Sequence, residues 1–170
     1  ELCSTDLHAF LRDRQPNNLG VGVSQVKMIR FCLETAEGLQ YLANKHFVHR
    51  DIATRNLLLT SEPENTVKIA DFGLSRRLTG KDYYRKTTEG LLPVRWMALE
   101  ALYKSVYTPQ SDLWSYGIVV WEIFTYADVP YAGMSNKNVM EEVKEGHRLK
   151  EPRLMEYVAN DDLRLYNILL

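Results

Sequence analysis

Two polar segments, HRDIATRN at residues 49–56 and DFG at residues 71–73, decide how the rest of this 170-residue chain is interpreted. Two short apolar runs lie between them, LLL at 57–59 and VKI at 67–69, and the connecting residues SEPEN are typical of a turn. Apolar runs on either side of a turn predict a β-hairpin. The hairpin would hold the polar residues of both segments near its open end.

Helical patterns flank the hairpin. In residues 24–44 the apolar positions recur every three or four residues, which predicts an amphipathic helix that Ser24 caps. Residues 112–124 are apolar on nearly every side, which predicts a helix in the centre of a large core, introduced by Thr108 and Pro109. Further helices are predicted at 6–11, with Ser4 and Thr5 as candidate caps, at 135–143 after Ser135, and from 160 onward.

The composition is that of an ordinary globular domain, with 45% hydrophobic and 25% charged residues. Lys and Arg number 21 against 22 Asp and Glu, so the formal net charge is −1 and no nucleic-acid partner is expected. Cys3 and Cys32 lie far apart, which favours a reducing compartment over a disulfide framework or a zinc site. No window approaches the roughly 20 apolar residues of a membrane helix.

The two polar segments resemble the catalytic-loop and metal-binding motifs of protein kinases. Both occur in the expected order around a predicted hairpin, so chance is a poor explanation. The resemblance covers essentially the whole chain and implies a mainly α fold (α+β overall), the C-terminal helical lobe of a protein-kinase-like architecture with a small β-hairpin. Residues 1–170 would then be a partial kinase domain, the hinge and the C-terminal lobe, with the N-terminal β lobe missing because it precedes Glu1.

Within that family the sequence is similar to the tyrosine kinases. Ala53 stands where serine/threonine kinases commonly carry Lys, and Arg55 follows as in receptor-type tyrosine kinases. The run LPVRWM at 92–97 resembles the loop that docks a tyrosine-containing peptide. The resemblance implies transfer of the γ-phosphoryl group of ATP to tyrosine hydroxyls of protein substrates. Residues 81–93 are most similar to the insulin-receptor-like receptors, so the implied location is the cytoplasmic side of the plasma membrane, reached through segments absent from this sequence.

Phosphoryl transfer requires oxygen ligands for Mg²⁺ and one carboxylate near the attacking hydroxyl. The resemblance implies that Asp51 orients the acceptor and takes its proton, and that Asn56 and Asp71 hold Mg²⁺. The resemblance also implies that His49 has an architectural role and that Asp112 binds the backbone of the catalytic loop. The other implied site residues are Arg55 and Asn56 in catalysis, Glu1, Cys3, Leu58, Asn56 and Asp71 around ATP, and Pro93, Val94 and Trp96 against the substrate peptide.

The polar residues 74–86 lack periodicity and predict a long functional loop. In the insulin-receptor-like family, paired tyrosines such as Tyr83 and Tyr84 are autophosphorylated, which implies a second kinase molecule as a partner in trans. Arg50 and Arg76 could pair with the phosphate and order the loop. The alternatives are that the tyrosines are ordinary exposed aromatics and that Arg76 belongs to a solvated charge pair.

Two rival functions remain open. A pseudokinase would bind partners without catalysis, which is disfavoured because Asp51, Asn56 and Asp71 are all intact. A serine/threonine kinase would be distinguished by its phosphorylated product. A receptor-type tyrosine kinase is favoured over a cytoplasmic one, although several cytoplasmic tyrosine kinases share Arg55. The Gly-rich loop, the strand Lys and its partner Glu are absent from these residues, so the chain alone is expected to bind ATP poorly. Departures from the family pattern are Leu99 in ALE at 98–100, Thr54 and Thr79.

Overall fold

The computed structural model describes residues 2–16, 22–78, 84–85 and 92–152. Its helices are α1 (Leu7–Asp13), α2 (Gln25–Asn44), α3 (Leu99–Lys104), α4 (Pro109–Phe124) and α5 (Asn136–Lys144). Its strands are β1 (Cys3–Asp6), β2 (Phe47–Val48), β3 (Leu57–Thr60), β4 (Val67–Ile69), β5 (Arg76–Arg77), β6 (Tyr84–Arg85) and β7 (Val106–Tyr107). Short 3₁₀ turns cover Thr54–Asn56 and Val94–Trp96.

The helices begin at side-chain caps. Ser24 caps α2 as predicted, since its side chain accepts a hydrogen bond from the backbone N–H of Lys27. Thr108 and Ser111 form a capping box that starts α4 at Pro109, which confirms Thr108 as the cap and Pro109 as the first helical residue. The predicted caps of α1 are wrong: Ser4 and Thr5 lie in β1, and Asp6 caps the helix by accepting from Ala9 N at 2.8 Å.

The predicted β-hairpin is confirmed. β3 and β4 are antiparallel, with Leu57 opposite Ile69 and Leu59 opposite Val67. β1 pairs with the other edge of β3 and makes a three-stranded sheet in the order β1-β3-β4. Leu57 and Leu59 are buried and Leu58 points to the opposite face, because side chains alternate along a strand.

The principal core lies between α2, α4 and the buried face of this sheet. Phe31 on α2 is fully buried and meets the Phe10 ring edge to face, with ring centroids 5.7 Å apart. Val119 and Ile123 on α4 are also fully buried, which confirms a central place for this helix, although Leu113 near its start is 62% exposed. Burial of each such side chain stabilises the fold by about 1.5–3 kcal/mol. Within the described residues no helix is both long and apolar enough to cross a membrane.

Parts of the predicted loop form short strands. β5 pairs with β2, and β6 pairs with β7, so that Tyr84 lies opposite Tyr107. Most of the predicted loop beyond β5 lies outside the described residues, which omit 79–83 and 86–91. The helix predicted from 160 onward also lies outside them. Helix α3 was not predicted from the sequence.

Candidate active site

Asp112 anchors the segment that carries Asp51. From the first turn of α4, its Oδ2 accepts from the backbone N–H of His49 at 2.7 Å, and its Oδ1 accepts from Arg50 N at 2.9 Å. The carboxyl is 4% exposed, and its burial raises its pKa to about 6, although the two backbone N–H bonds act in the opposite direction. Arg50 has φ 75°, a left-handed conformation that the Asp112 contacts hold in place. The expected contact of Asp112 with the catalytic-loop backbone is confirmed.

His49 connects the same segment to the end of the hairpin. Its Nε2 lies 3.0 Å from the carbonyl oxygen of Ala70, and its Nδ1 lies 3.4 Å from the backbone N of Asp51. These partners assign the neutral tautomer with the proton on Nε2. The Phe72 ring packs edge-on against the imidazole, with centroids 5.0 Å apart. His49 therefore has the architectural role expected of it, between Asp51 and the residue before Asp71.

A pH-dependent contribution to stability follows from the burial of His49. Burial lowers its pKa from 6.5, so the unfolded chain takes up a proton at a higher pH than the folded chain does. The stability that neutral His49 contributes is therefore present above pH 6.5 and is lost as the pH falls below it. In urea titrations we expect wild type to have a higher free energy of unfolding than His49→Gln at pH of about 7.5. This difference should become smaller as the pH is lowered to about 5.5. A difference that is constant or widens at acid pH contradicts this account.

Asp51 is bound by Arg55, four residues further along the chain. The Arg55 guanidinium donates to Asp51 Oδ1, and it also lies over the Trp96 ring with 4.6 Å to the centroid. The Asp51 side chain is 15% exposed, so most of it is covered by the protein and a small part of it reaches solvent. Among the described residues, the hydrogen bond to the Asp51 carboxylate comes from Arg55 and is made at Oδ1.

Asn56 and Asp71 lie at the open end of the hairpin. The backbone N–H of Ala70 donates to Asn56 O at 2.9 Å, which brings Asp71 next to Asn56. The Asn56 side-chain amide donates to the carbonyl oxygen of Asp51 at 2.7 Å, so its Oδ1 is the atom left for a hard cation. Asp71 is exposed and has φ 59°, and its Oδ1 accepts from Gly73 N at 3.3 Å. One carboxylate and one amide oxygen fit a Mg²⁺ that takes its other ligands from phosphates and water.

The residues expected around ATP fall on two neighbouring strands. Leu58 faces away from the core on β3, and Cys3 lies on the edge strand β1, opposite Thr60. Both are half-buried, and Leu58 lies two residues after Asn56 in the chain. Glu1 lies outside the described residues.

Arg95 connects the segment expected to dock a substrate peptide to the loop after α4. Pro93, Val94 and Trp96 are half-buried around the 3₁₀ turn Val94–Trp96. The Arg95 guanidinium donates to three backbone carbonyls in the loop after α4: those of Pro130 and Tyr131, each at 2.7 Å, and that of Met134 at 2.5 Å. Sequence reasoning missed this role of Arg95.

Sequence reasoning also missed Glu122. The Trp96 indole N–H donates to Glu122 Oε2 at 3.0 Å, and Thr54 donates to the same carboxylate through its backbone N–H and its hydroxyl. Glu122 is 1% exposed, and burial raises its pKa while these hydrogen bonds oppose the shift. One signal was available, since Glu122 is the single charged residue in the apolar stretch 113–124, where a charge requires buried partners.

The two arginines expected to pair with phosphotyrosine differ in their surroundings. Arg50 is 6% exposed, donates to Leu74 O at 3.0 Å, and stacks on the Tyr107 ring with 4.1 Å to its centroid. Since Tyr107 pairs with Tyr84, Arg50 lies next to the strand that carries one expected phosphorylation site. Arg76 is exposed and donates to Ser75 O at 2.7 Å. Tyr83 lies outside the described residues.

Comparison with known proteins agrees with this geometry. A model of the protein tyrosine and serine/threonine kinase family matches residues 1–163. The chain is 45% identical over 152 residues to a fibroblast growth factor receptor of Hydra vulgaris, which covers 86% of this chain and 18% of that protein. It is 45% identical over 175 residues to the protein sevenless of Drosophila melanogaster, covering 97% and 7%. It is 44% identical over 147 residues to the tyrosine-protein kinase receptor TYRO3 of Danio rerio, covering 86% and 17%.

The chain therefore belongs to the protein tyrosine and serine/threonine kinase family. This confirms the family resemblance and the kinase-like fold that the two polar segments predicted. The chain spans less than a fifth of the length of each of these three relatives.

Proposed function

We propose that this chain is the hinge and C-terminal lobe of a receptor-type tyrosine kinase domain, and that the protein transfers the γ-phosphoryl group of ATP to tyrosine hydroxyls of protein substrates. The observation that carries this proposal is the arrangement around Asp51. Its carboxylate is bound by Arg55, its carbonyl oxygen by Asn56, and the backbone just before it by Asp112. A carboxylate fixed on one side and accessible on the other suits a group that accepts a proton.

The metal and nucleotide would be held by residues around the hairpin. Asn56 Oδ1 and the Asp71 carboxylate would bind Mg²⁺, and Leu58 and Cys3, with Glu1, would lie against ATP. ATP would supply the transferable phosphoryl group, and the bound Mg²⁺ would neutralise charge on the phosphate oxygens. Asp51 would align the acceptor hydroxyl through Oδ2 and take its proton as the acceptor oxygen bonds to the γ-phosphorus. The bond from that phosphorus to the β–γ bridging oxygen would break at the same time, so that ADP leaves.

Specificity for tyrosine is proposed to come from the docking segment. Pro93, Val94 and Trp96 would hold the substrate peptide, and a phenol reaches further from its backbone than the hydroxyl of Ser does. The loop after α4 supports this segment through Arg95. Two of the similar proteins are named as receptors, and one of them is named as a tyrosine-protein kinase, which favours tyrosine over serine as the acceptor.

Removing the support under the docking segment tests its role. Arg95→Met loses three hydrogen bonds to backbone carbonyls, so the segment should loosen. We expect the KM for a tyrosine peptide to rise about fivefold or more, with the KM for Mg-ATP unchanged. Arg12→Met, which removes an exposed ion pair to Asp128, is the control and should change neither constant. Equal changes in both KM values would contradict a role in peptide docking.

We propose further that Tyr83 and Tyr84 are phosphorylated in trans by a second copy of the kinase. Arg50 stacks on Tyr107, the strand partner of Tyr84, and would pair with a phosphate on Tyr84. Arg76, on β5, would be a second cationic partner. The parent protein would present this domain at the cytoplasmic face of the plasma membrane. Mass spectrometry of active protein should find phosphate on this tyrosine pair, and active protein unmodified at both residues would contradict the proposal.

The proposed activity is tested with the complete kinase domain that contains these residues. The rates of phosphoryl transfer from Mg-ATP are compared for a tyrosine peptide and for the same peptide with Ser or Phe at the acceptor position. Transfer to the Tyr peptide alone is expected. Transfer to the Ser peptide at a similar rate would identify a serine/threonine kinase, and no transfer from folded, Mg-ATP-saturated protein would identify a pseudokinase.

A further inference from the structure

The Glu122 side chain connects three segments of the site. Its Oε2 accepts from Trp96 Nε1 at 3.0 Å and from Thr54 N at 3.1 Å, and its Oε1 accepts from Thr54 Oγ1 at 2.8 Å. Thr54 lies between Asp51 and Asn56 in the chain, and Trp96 lies in the docking segment. Glu122 lies on α4, two helical turns after Ser115. The Ser115 hydroxyl donates to Trp96 O at 2.7 Å, so α4 binds Trp96 at both positions.

The contacts continue from Trp96 to Asp51. The Arg55 guanidinium rests on the Trp96 ring, and the same guanidinium donates to Asp51 Oδ1. The Trp96 indole, held by Glu122, therefore supports the cation that fixes the Asp51 carboxylate. The bonds from Glu122 to Thr54 hold the backbone of the same loop from its buried side.

We propose that Glu122 is a positioning residue for phosphoryl transfer, which sets the place of the Asp51 carboxylate through Trp96, Arg55 and Thr54. The inference rests on the function proposed above. Transfer rates depend steeply on such placement, since a shift of about 1 Å in a reacting group can cost about 10²-fold. Glu122 acts through other side chains and is not itself in contact with the acceptor.

The hydrogen-bond arrangement makes Glu122→Gln a conservative variant. The amide oxygen can accept from Trp96 and from the Thr54 backbone at the position of Oε2. The amide nitrogen can donate to the Thr54 hydroxyl, which is then free to donate toward His8 Nδ1, 3.4 Å away. Glu122→Met has a similar length but accepts none of the three bonds.

The test measures kcat, both KM values and the melting temperature in the complete kinase domain. We expect Glu122→Met to lower kcat about 10-fold to 100-fold with the KM for Mg-ATP unchanged, and Glu122→Gln to stay within about threefold of wild type. In an Asp51→Asn background, Glu122→Met should lower the residual rate less than about threefold, because residues that act through one group are not additive.

Tyr116→Phe is the matched structural control. It lies on the same helix and loses a buried hydrogen bond, from the phenol to Cys32 O at 3.1 Å, on the side of α4 that faces α2. It should lower the melting temperature and leave kcat unchanged. The inference is overturned if Glu122→Met lowers the melting temperature but not kcat, or if its full effect on the rate persists in the Asp51→Asn background.

A second variant keeps the inference testable if Glu122→Met does not fold. Trp96→Phe preserves an aromatic ring for Arg55 but removes the N–H that Glu122 binds. Its kcat at saturating peptide should fall about fivefold or more, and an unchanged kcat overturns the inference.

The wild-type rate in the same assay separates the proposed function from the inference about Glu122. If wild type transfers nothing to tyrosine, the proposed function fails. If wild type is active and the Glu122 variants have no effect on kcat, the inference fails and the proposed function stands.

Discussion

Replacing Asp51 by Asn is expected to lower kcat for tyrosine phosphorylation by about 10²-fold to 10⁴-fold, the usual range for the loss of a general base. Asn has almost the same shape as Asp, and its side-chain oxygen can still accept from Arg55 at the position of Oδ1. The amide nitrogen then occupies the position of Oδ2, where it cannot accept a proton from the acceptor hydroxyl. The variant should fold normally, because Asn keeps a side-chain oxygen for the hydrogen bond that Arg55, among the described residues, donates to Asp51.

The assay for Asp51→Asn includes the affinity for Mg-ATP, measured by calorimetry. Asn56 and Asp71 are unchanged, so the dissociation constant should remain within about twofold of wild type. The matched control is Asp13→Asn, an isosteric change at the exposed end of α1. A kcat within about threefold of wild type for Asp51→Asn would refute the role of Asp51 as the base.

Replacing Asp112 by Ala is expected to cause the largest loss of stability. Its carboxylate is the acceptor for the backbone N–H groups of His49 and Arg50, at 2.7 Å and 2.9 Å, and it is 4% exposed. Each buried N–H left without an acceptor costs about 1–3 kcal/mol, so the free energy of unfolding should fall by about 2–6 kcal/mol. Urea unfolding of the kinase domain measures this change.

Asp112→Asn separates the hydrogen bonds from the cavity that Ala leaves. An Asn side chain can accept from one of the two backbone N–H groups but presents its own N–H₂ to the other. We expect it to lose about half as much stability as Asp112→Ala. Asp128→Ala, which breaks an exposed ion pair to Arg12, should cost about 0–1 kcal/mol. A loss of less than about 1 kcal/mol for Asp112→Ala would show that Asp112 does not anchor the loop.

The parts of the site that local spacing determines could be predicted from the sequence. The hairpin follows from two apolar runs and a turn, and its register places Asn56 and Asp71 together, since Leu57 is opposite Ile69. The caps Ser24 and Thr108 follow from side chains that bind N–H groups two or three residues ahead. Such features depend on residues that are close along the chain, which is why pattern and propensity reveal them.

The parts that depend on distant residues could not be predicted. Glu122 binds Thr54 and Trp96, which lie 68 and 26 residues away in the chain. The sequence shows only that a buried Glu requires partners, not which ones. Strand β1 was missed for a related reason, because CSTD has no apolar alternation and becomes a strand by pairing with β3. That pairing also explains why Asp6, and not Ser4 or Thr5, caps α1.

The most direct test of the proposed function is to locate the phosphoryl group on a single peptide that contains one Tyr, one Ser and one Thr. The complete kinase domain is incubated with the peptide and Mg-ATP, and fragmentation by mass spectrometry identifies the modified residue. The arrangement of Asp51, Asn56 and Asp71 with the docking segment at Trp96 predicts phosphate on Tyr alone, at a rate that Asp51→Asn lowers by about 10²-fold to 10⁴-fold. Phosphate on Ser or Thr, or none on any residue with Mg-ATP bound, would contradict it.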